Sequence, residues 1–276
     1  LGLADQVFFG PEIEFFVFDE VRFDQATQHG YSFLNSAAAF WSSGGTEGGP
    51  SLGHQAGRKQ AYFAAPPVDQ YNNLRSKISN VLQQVGLEPE LHHHEVGAAG
   101  QCEIGFRFGT LLLQADAAVK YKYTVKNVVN RYKKTATFMP KPLLQENGSG
   151  MHMNVSLWKD GRNRSACVRV PVGGSSPKAK RIEFRTPDPS CNPYLGFAAL
   201  LMAGMDGVLS DIEPPDPVDE DLYALAETER GKAIGRTPAT LGEALDALER
   251  DHPDDWRVVW YRGVAALATS SKAAVA

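Results

Sequence analysis

Residues 10–18 read Gly10-Pro11-Glu12-Ile13-Glu14-Phe15-Phe16-Val17-Phe18. The stretch is almost wholly apolar, and Phe8 to Phe18 reads as a buried strand. Glu12 and Glu14 stand two apart, so on a strand both carboxylates point to one face. Side by side on an apolar strand they repel each other and are costly to desolvate. A cation held between them removes both penalties. A wet strand end with a solvated pair is the plainer alternative.

Three further segments set polar residues on one side of apolar strands. The first is His92-His93-His94-Glu95-Val96-Gly97-Ala98-Ala99-Gly100-Gln101-Cys102-Glu103. Glu95 and Glu103 flank a small-residue stretch whose glycines let backbone approach closely, and Gln101 and Glu103 share a strand face. Neighbouring histidines on extended chain point to alternate sides, so His-His-His is a poor zinc cage, and carboxylates suit Mg²⁺ or Mn²⁺ better. The second is Asn147-Gly148-Ser149-Gly150-Met151-His152-Met153-Asn154-Val155-Ser156-Leu157-Trp158. Here His152, Asn154 and Ser156 face one way and Met151, Met153, Val155 and Leu157 the other. The Asn-Gly-Ser-Gly run offers exposed backbone amides to an anion or polar substrate, yet matches neither the phosphate-binding loop nor the dinucleotide fingerprint. Taken alone, it reads better as a turn before a strand with a satisfied core histidine. The third runs from Arg162-Asn163-Arg164-Ser165-Ala166-Cys167-Val168-Arg169 to Lys178-Ala179-Lys180-Arg181-Ile182-Glu183-Phe184-Arg185. Arg181, Glu183 and Arg185 share a face, and arginines in fixed positions take phosphate or carboxylate bidentately.

Around these segments, residues 31–68 read as a long irregular excursion rich in Gly, Ser, Ala and Pro. Asp69 caps an amphipathic helix carrying Leu74, Ile78, Val81, Leu82 and Val85, closed by Gly86. Residues 101–108 read as a short strand. Thr110 to about Tyr132 reads as a helix with Leu111, Leu112, Ala115 and Val119 on its apolar face. Strands are expected at 151–158 and 180–185. Asn192-Pro193 opens a nearly all-apolar helix through Leu209, and Thr240-x-x-Glu243 is a capping box. Short strands with intervening helices indicate a mixed α/β or α+β domain.

Composition narrows the function classes. The 276 residues carry a formal net charge of −4, with 43% hydrophobic and 22% charged residues. That balance gives no electrostatic reason for nucleic acid or an anionic membrane as partner. No apolar run is long enough to span a bilayer, and the first residues hold no signal-peptide core and no Met. Cys102, Cys167 and Cys191 are far apart, without a Cys-x-x-Cys pair, which fits packing thiols in a reducing cytoplasm.

These segments, in this order, resemble type I glutamine synthetase. The matching stretches are Phe-Gly-Pro-Glu-Ile-Glu-Phe-Phe (9–16), His-His-Glu-Val-Gly-Ala-Ala-Gly-Gln-Cys-Glu (93–103), Thr-Phe-Met-Pro-Lys-Pro (137–142), Asn-Gly-Ser-Gly-Met-His (147–152), Arg-Asn-Arg-Ser-Ala (162–166), Pro-Lys-Ala-Lys-Arg-Ile-Glu-Phe-Arg (177–185) and Asn-Pro-Tyr-Leu-Gly-Phe-Ala-Ala-Leu-Leu-Met-Ala-Gly (192–204). The resemblance covers most of residues 7–225 and is weak beyond Pro238. It implies an α+β fold: one catalytic domain over 1–276, a curved, mostly antiparallel sheet flanked by helices, with 226–276 a weakly matched helical part.

The resemblance also implies a chemistry. ATP phosphorylates the glutamate side chain and ammonia attacks the acyl phosphate, with two Mg²⁺ or Mn²⁺ ions per site. One ion would be held by Glu14, Glu95 and Glu103, the other by Glu12, His152 and Glu183. Asn147, Gly148, Arg164 and Arg185 would contact glutamate. Arg169, Lys178 and Arg181 would hold the phosphates, and Glu90, Phe108 and Ser156 would line the nucleotide pocket. Arg164, Arg169 and Arg185 would act on the reacting groups. The family's habit implies a homo-oligomer, a ring-based dodecamer in the intact protein.

The sequence departs from the family at Asn154, where a second histidine is usual, and between Gly161 and Arg162, where a long segment with a substrate arginine and a flap glutamate is absent. The small N-terminal β domain is also missing from the match. Low turnover of the chain by itself is therefore expected. A ligase of the same fold using another amine, or a non-catalytic paralogue that binds metal and nucleotide only, are the alternatives. Tyr223 stands where some family members are adenylylated, in a divergent context.

Overall fold

The structure, a computed structural model, describes residues 4–44, 53–159, 162–163, 181–213, 228–229, 238 and 240–251. The chain divides into two compact units, 1–214 and 215–276. In chain order the first unit holds β1 (Gln6–Phe18), β2 (Glu20–Gln25), β3 (Gly30–Asn35), a 3₁₀ turn (Phe40–Gly44), α1 (Asn72–Gln84), β4 (Pro89–His94), β5 (Gln101–Phe106) and β6 (Gly109–Thr110). It continues with α2 (Leu111–Arg131), β7 (Thr135–Thr137), β8 (Met151–Lys159), β9 (Arg162–Asn163), β10 (Ile182–Phe184) and α3 (Pro193–Leu209).

β1 is the spine of an antiparallel sheet with the order β10-β8-β1-β5-β4. It pairs with β8 over its first half, with β5 and β7 over its second, and with the short β6 beside Phe8 and Phe9. The alternation read from the sequence decides which side is core. Phe9, Ile13, Phe15 and Val17 of β1 turn the same way as Met151, Met153 and Val155 of β8 and Cys102, Ile104 and Phe106 of β5. That face is covered by Leu74, Ile78 and Leu82 of α1 and Ala115, Ala118, Tyr121 and Val125 of α2, in one buried cluster. Burying each large side chain there contributes roughly 1.5–3 kcal/mol. The opposite face of the same strands carries the polar residues.

The helix ends follow the chemistry of their sequence. Asn192 accepts from the amides of Tyr194 and Leu195 at 3.0 and 3.3 Å, and Pro193 opens α3. Gly86, at φ +86°, takes the left-handed conformation that ends α1. In the second unit, α4 (Leu241–Asp251) begins as the capping box requires, the Glu243 amide donating to Thr240 Oγ1 at 3.2 Å.

Three details differ from the expectations. Part of the irregular excursion is ordered: β2 and β3 form a two-stranded antiparallel hairpin, missed because both its faces are largely exposed and show no apolar stripe. Asp69 is no N-cap; it is buried and ion-paired to Arg75, while α1 starts after Tyr71 without a side-chain cap. The buried side of α2 is Gln114, Ala115, Ala118, Tyr121 and Val125, whereas Leu112 and Val119 are exposed. Among the described residues no helix is long and apolar enough to cross a membrane.

Candidate functional site

Strand register lines up the acids. Glu12 lies opposite His152, Glu14 opposite Glu103, Glu103 opposite His93, and Glu183 opposite Asn154. The result is a row of ionisable side chains crossing β10, β8, β1, β5 and β4 on a diagonal, level with Gly10, Glu12 and Glu14 of β1 in turn. All are buried except Glu12, which is partly exposed. Glu95 joins from the turn after β4.

Two groups within the row have metal-ligand spacing: Glu12, His152 and Glu183, and His93, Glu95 and Glu103. His152 Nδ1 is 3.4 Å from Glu12 and 3.7 Å from Glu183, and its Nε2 is 3.8 Å from Glu14. His93 lies 3.5 Å from both Glu95 and Glu103. Glu14 sits between the groups and accepts from Gln101 Nε2 at 2.7 Å and the Gly150 amide at 2.9 Å. The six expected metal ligands thus converge. His93 is the addition that sequence reading missed. The signal was the alternation itself: His92 turns to Arg75 and Ser76, and His94 is buried against its own strand turn, which leaves His93 facing the acids. Phe63 stacks on the His93 ring at 4.2 Å.

The electrostatics explain why such a row asks for cations. Burial pushes the Glu14 carboxyl up to about 7, with Glu95 and Glu103 adding to it against the Gly150 amide. Burial likewise raises Glu95, with Glu103 contributing. Burial alone would raise Glu12, but hydrogen bonds from His152 and Asn154 outweigh it and hold this carboxyl below its ordinary value. Burial would lower His152 and His93; Glu12 and Glu14 for the first, and Glu103 for the second, outweigh it and raise both. Like charges directly opposite in an antiparallel pair are destabilising, and Glu14 facing Glu103 is such a pair. The donors are carboxylate oxygens with one imidazole per group. That set fits hard divalent ions of the Mg²⁺ or Mn²⁺ kind.

The row floors a cavity of about 850 Å³ that is also lined by Asn147, Gly148, Arg181, Arg185 and Tyr62. Gly148 is obligatory, since a Cβ there would come within 2.8 Å of the Pro140 carbonyl. Arg185 pairs with Glu183. The three expected nucleotide residues lie outside this lining: Glu90 is exposed on β4, Phe108 stands edge-on to Phe8, and Ser156 Oγ accepts from Trp158 Nε1 at 2.9 Å. Phe8, Phe108 and Trp158 form an aromatic cluster beside β8. Arg164, Arg169, Lys178, Gly161, Cys167 and Tyr223 lie outside the described residues.

The catalytic domain of glutamine synthetase, as a family, matches residues 1–163 and 161–254. The chain belongs to the glutamine synthetase family. The glutamine synthetases of Frankia alni and Streptomyces filamentosus are each 43% identical to it over 310 residues, covering 91% of this chain. The chain spans 65% of the Frankia relative's length and 66% of the Streptomyces relative's. Among solved structures, the cryo-EM glutamine synthetase of Plasmodium falciparum superposes with a TM-score of 0.75 at 23% identity, covering 100% of this chain and 74% of its own. A GmaS–ADP complex reaches 0.64 at 23% identity, over 89% of this chain and 64% of its own. These likenesses carry the α+β fold, a sheet flanked by helices. The family match comes in two blocks that meet at 161–163, and the alignments, at 310 positions, are longer than the 276-residue chain.

Proposed function

We propose that the chain carries the machinery of an ATP-dependent glutamate–ammonia ligase. The observation that supports this most is the buried row from Glu183 to His93, with Glu14 facing Glu103 at its centre. Identity of 43% to enzymes named glutamine synthetase supports the same reading. In the overall reaction the γ-phosphoryl group of ATP passes to the glutamate side-chain carboxylate and ADP leaves. Ammonia then attacks the acyl carbon, phosphate departs, and glutamine results.

Two Mg²⁺ or Mn²⁺ ions fit the donor set. Glu12, His152 and Glu183 would hold one; Glu14, Glu95 and Glu103, with His93 in reach, would hold the other. When bound, such ions neutralise converging phosphate and carboxylate oxygens and act as Lewis acids. Asn147, Gly148 and Arg185 line the cavity where the glutamate carboxylates would sit, Arg164 joining them by its place in the matched motif. Arg181 presents a guanidinium suited to phosphate, with Arg169 and Lys178 assigned beside it by resemblance. The aromatic cluster around Phe108, with Ser156 and Glu90, would take the nucleoside end. Family habit supports a ring-based homo-oligomer, and free thiols support a reducing cytoplasm.

Phosphate release by the full chain tests the reading. It should require ATP, a divalent ion and glutamate together. Release indifferent to glutamate would contradict the proposal.

A further inference from the structure

Asn154 joins two groups of opposite charge. Its Nδ2 donates to Glu12 Oε1 at 2.8 Å and to the Gly10 carbonyl at 3.2 Å, while its Oδ1 accepts from Arg181 Nε at 2.8 Å. These contacts fix the amide's orientation. Turned over, it would set its oxygen against a carboxylate and a carbonyl, and its NH₂ against a guanidinium. Strand register holds the residue in place, with Gly10 opposite it on β1 and Glu183 opposite it on β10.

The consequence lies in what Glu12 and Arg181 do not do. Glu12 and Arg181 are held on opposite atoms of one amide, and an arginine and a carboxylate free to meet frequently form a bidentate pair. Such a pair would take the Arg181 fork away from phosphate and a Glu12 oxygen away from a cation. With Asn154 between them, Arg181 spends only Nε. Among the described residues its terminal nitrogens have no other hydrogen-bond partner, and the side chain lines the cavity. An amide also carries no charge at any working pH, so the spacer does not titrate with the groups it separates.

We propose that Asn154 is a positioning residue, a neutral spacer that keeps Arg181 and Glu12 from pairing so that one can take phosphate and the other a divalent cation. The inference rests on the ligand roles proposed above for Glu12 and Arg181.

The test uses Mn²⁺ and ADP binding by the full chain, measured by calorimetry, in wild type, Asn154→Ala, Arg181→Ala and the double variant. Asn154 is only half-buried, so Asn154→Ala should fold; Asn154→Ser is the second variant, read the same way. The expected result is about a tenfold loss of Mn²⁺ affinity at the Glu12 site in Asn154→Ala, together with a similar loss for ADP. Mn²⁺ affinity should then recover in the double variant, because Arg181 is no longer there to capture Glu12. Recovery separates the spacer from a merely structural part, which removing Arg181 would not rescue. Unchanged affinities in Asn154→Ala, or a Mn²⁺ loss that persists in the double variant, would overturn the inference while leaving the ligand roles standing. A wild-type chain that binds no Mn²⁺ would overturn the ligand roles themselves.

Discussion

Glu14 is the residue at which stability and function pull apart. It is 6% exposed, faces Glu103 across the sheet, and its carboxyl is pushed up to about 7 by burial. Glu14→Gln removes the charge but keeps an acceptor for Gln101 and Gly150. Melting of the metal-free protein should therefore rise by about 2–4 °C, the equivalent of roughly 1 kcal/mol in a domain of this size. Mn²⁺ affinity should fall tenfold or more. A metal-free variant that melts lower than wild type would count against the crowding argument. Asp19 is the opposite case. Burial would raise its carboxyl, but the Ala37 amide and Lys134 outweigh that and hold it below its ordinary 3.8, with the Tyr71 hydroxyl also bonded to it. Its stabilisation is present above that ordinary value and is lost as pH falls through the lower folded value. Melting temperatures measured from pH 5 down to 2 should show a shallower acid decline in Asp19→Asn than in wild type. Which side chains share the polar face was legible in sequence where the period of two was clear, as for Glu12, Glu14, His152 and Glu183. His93 was not, because three identical neighbours conceal which one faces the site until strand register is known.

At the scale of elements, β1 and β8 could be read because their period of two sorts every residue to core or site. The start of α3 could be read because Asn192-Pro193 has one good use. Asn192→Ala removes the acceptor for the Tyr194 and Leu195 amides and should cost about 1 kcal/mol in chemical denaturation, with the slope against denaturant unchanged. A loss under a few tenths would show that α3 is held by packing alone. The β2–β3 hairpin escaped notice since Phe23, Tyr31 and Phe33 are exposed on it, so burial leaves no alternation to find. The buried face of α2 was misjudged for a related reason. Gln114 turns inward to donate to the Arg107 carbonyl at 3.1 Å, while Leu112 and Leu113 point outward. Tertiary contacts, rather than the helix's own apolar count, chose the face.

For the whole molecule, the two-block family match meeting at 161–163 and the alignment longer than the chain support an internal absence at Gly161–Arg162. The resemblance places a flap glutamate and a substrate arginine in that missing stretch. Losing one positioned charge costs on the order of a hundredfold or more in rate, and groups acting together do not sum simply. The 276-residue chain should therefore form glutamine far below about ten per second, a rate common among enzymes, and a comparable phosphate release without glutamine would reflect an acyl phosphate open to water. Full turnover would show the missing stretch to be dispensable. The central claim, however, is that the acidic row exists to hold divalent ions, and Mn²⁺ binding followed by electron paramagnetic resonance tests it without any turnover. The account predicts two Mn²⁺ per chain, with one lost in Glu12→Gln and the other in Glu103→Gln. A chain that binds none, or that binds two in all three proteins, would contradict it.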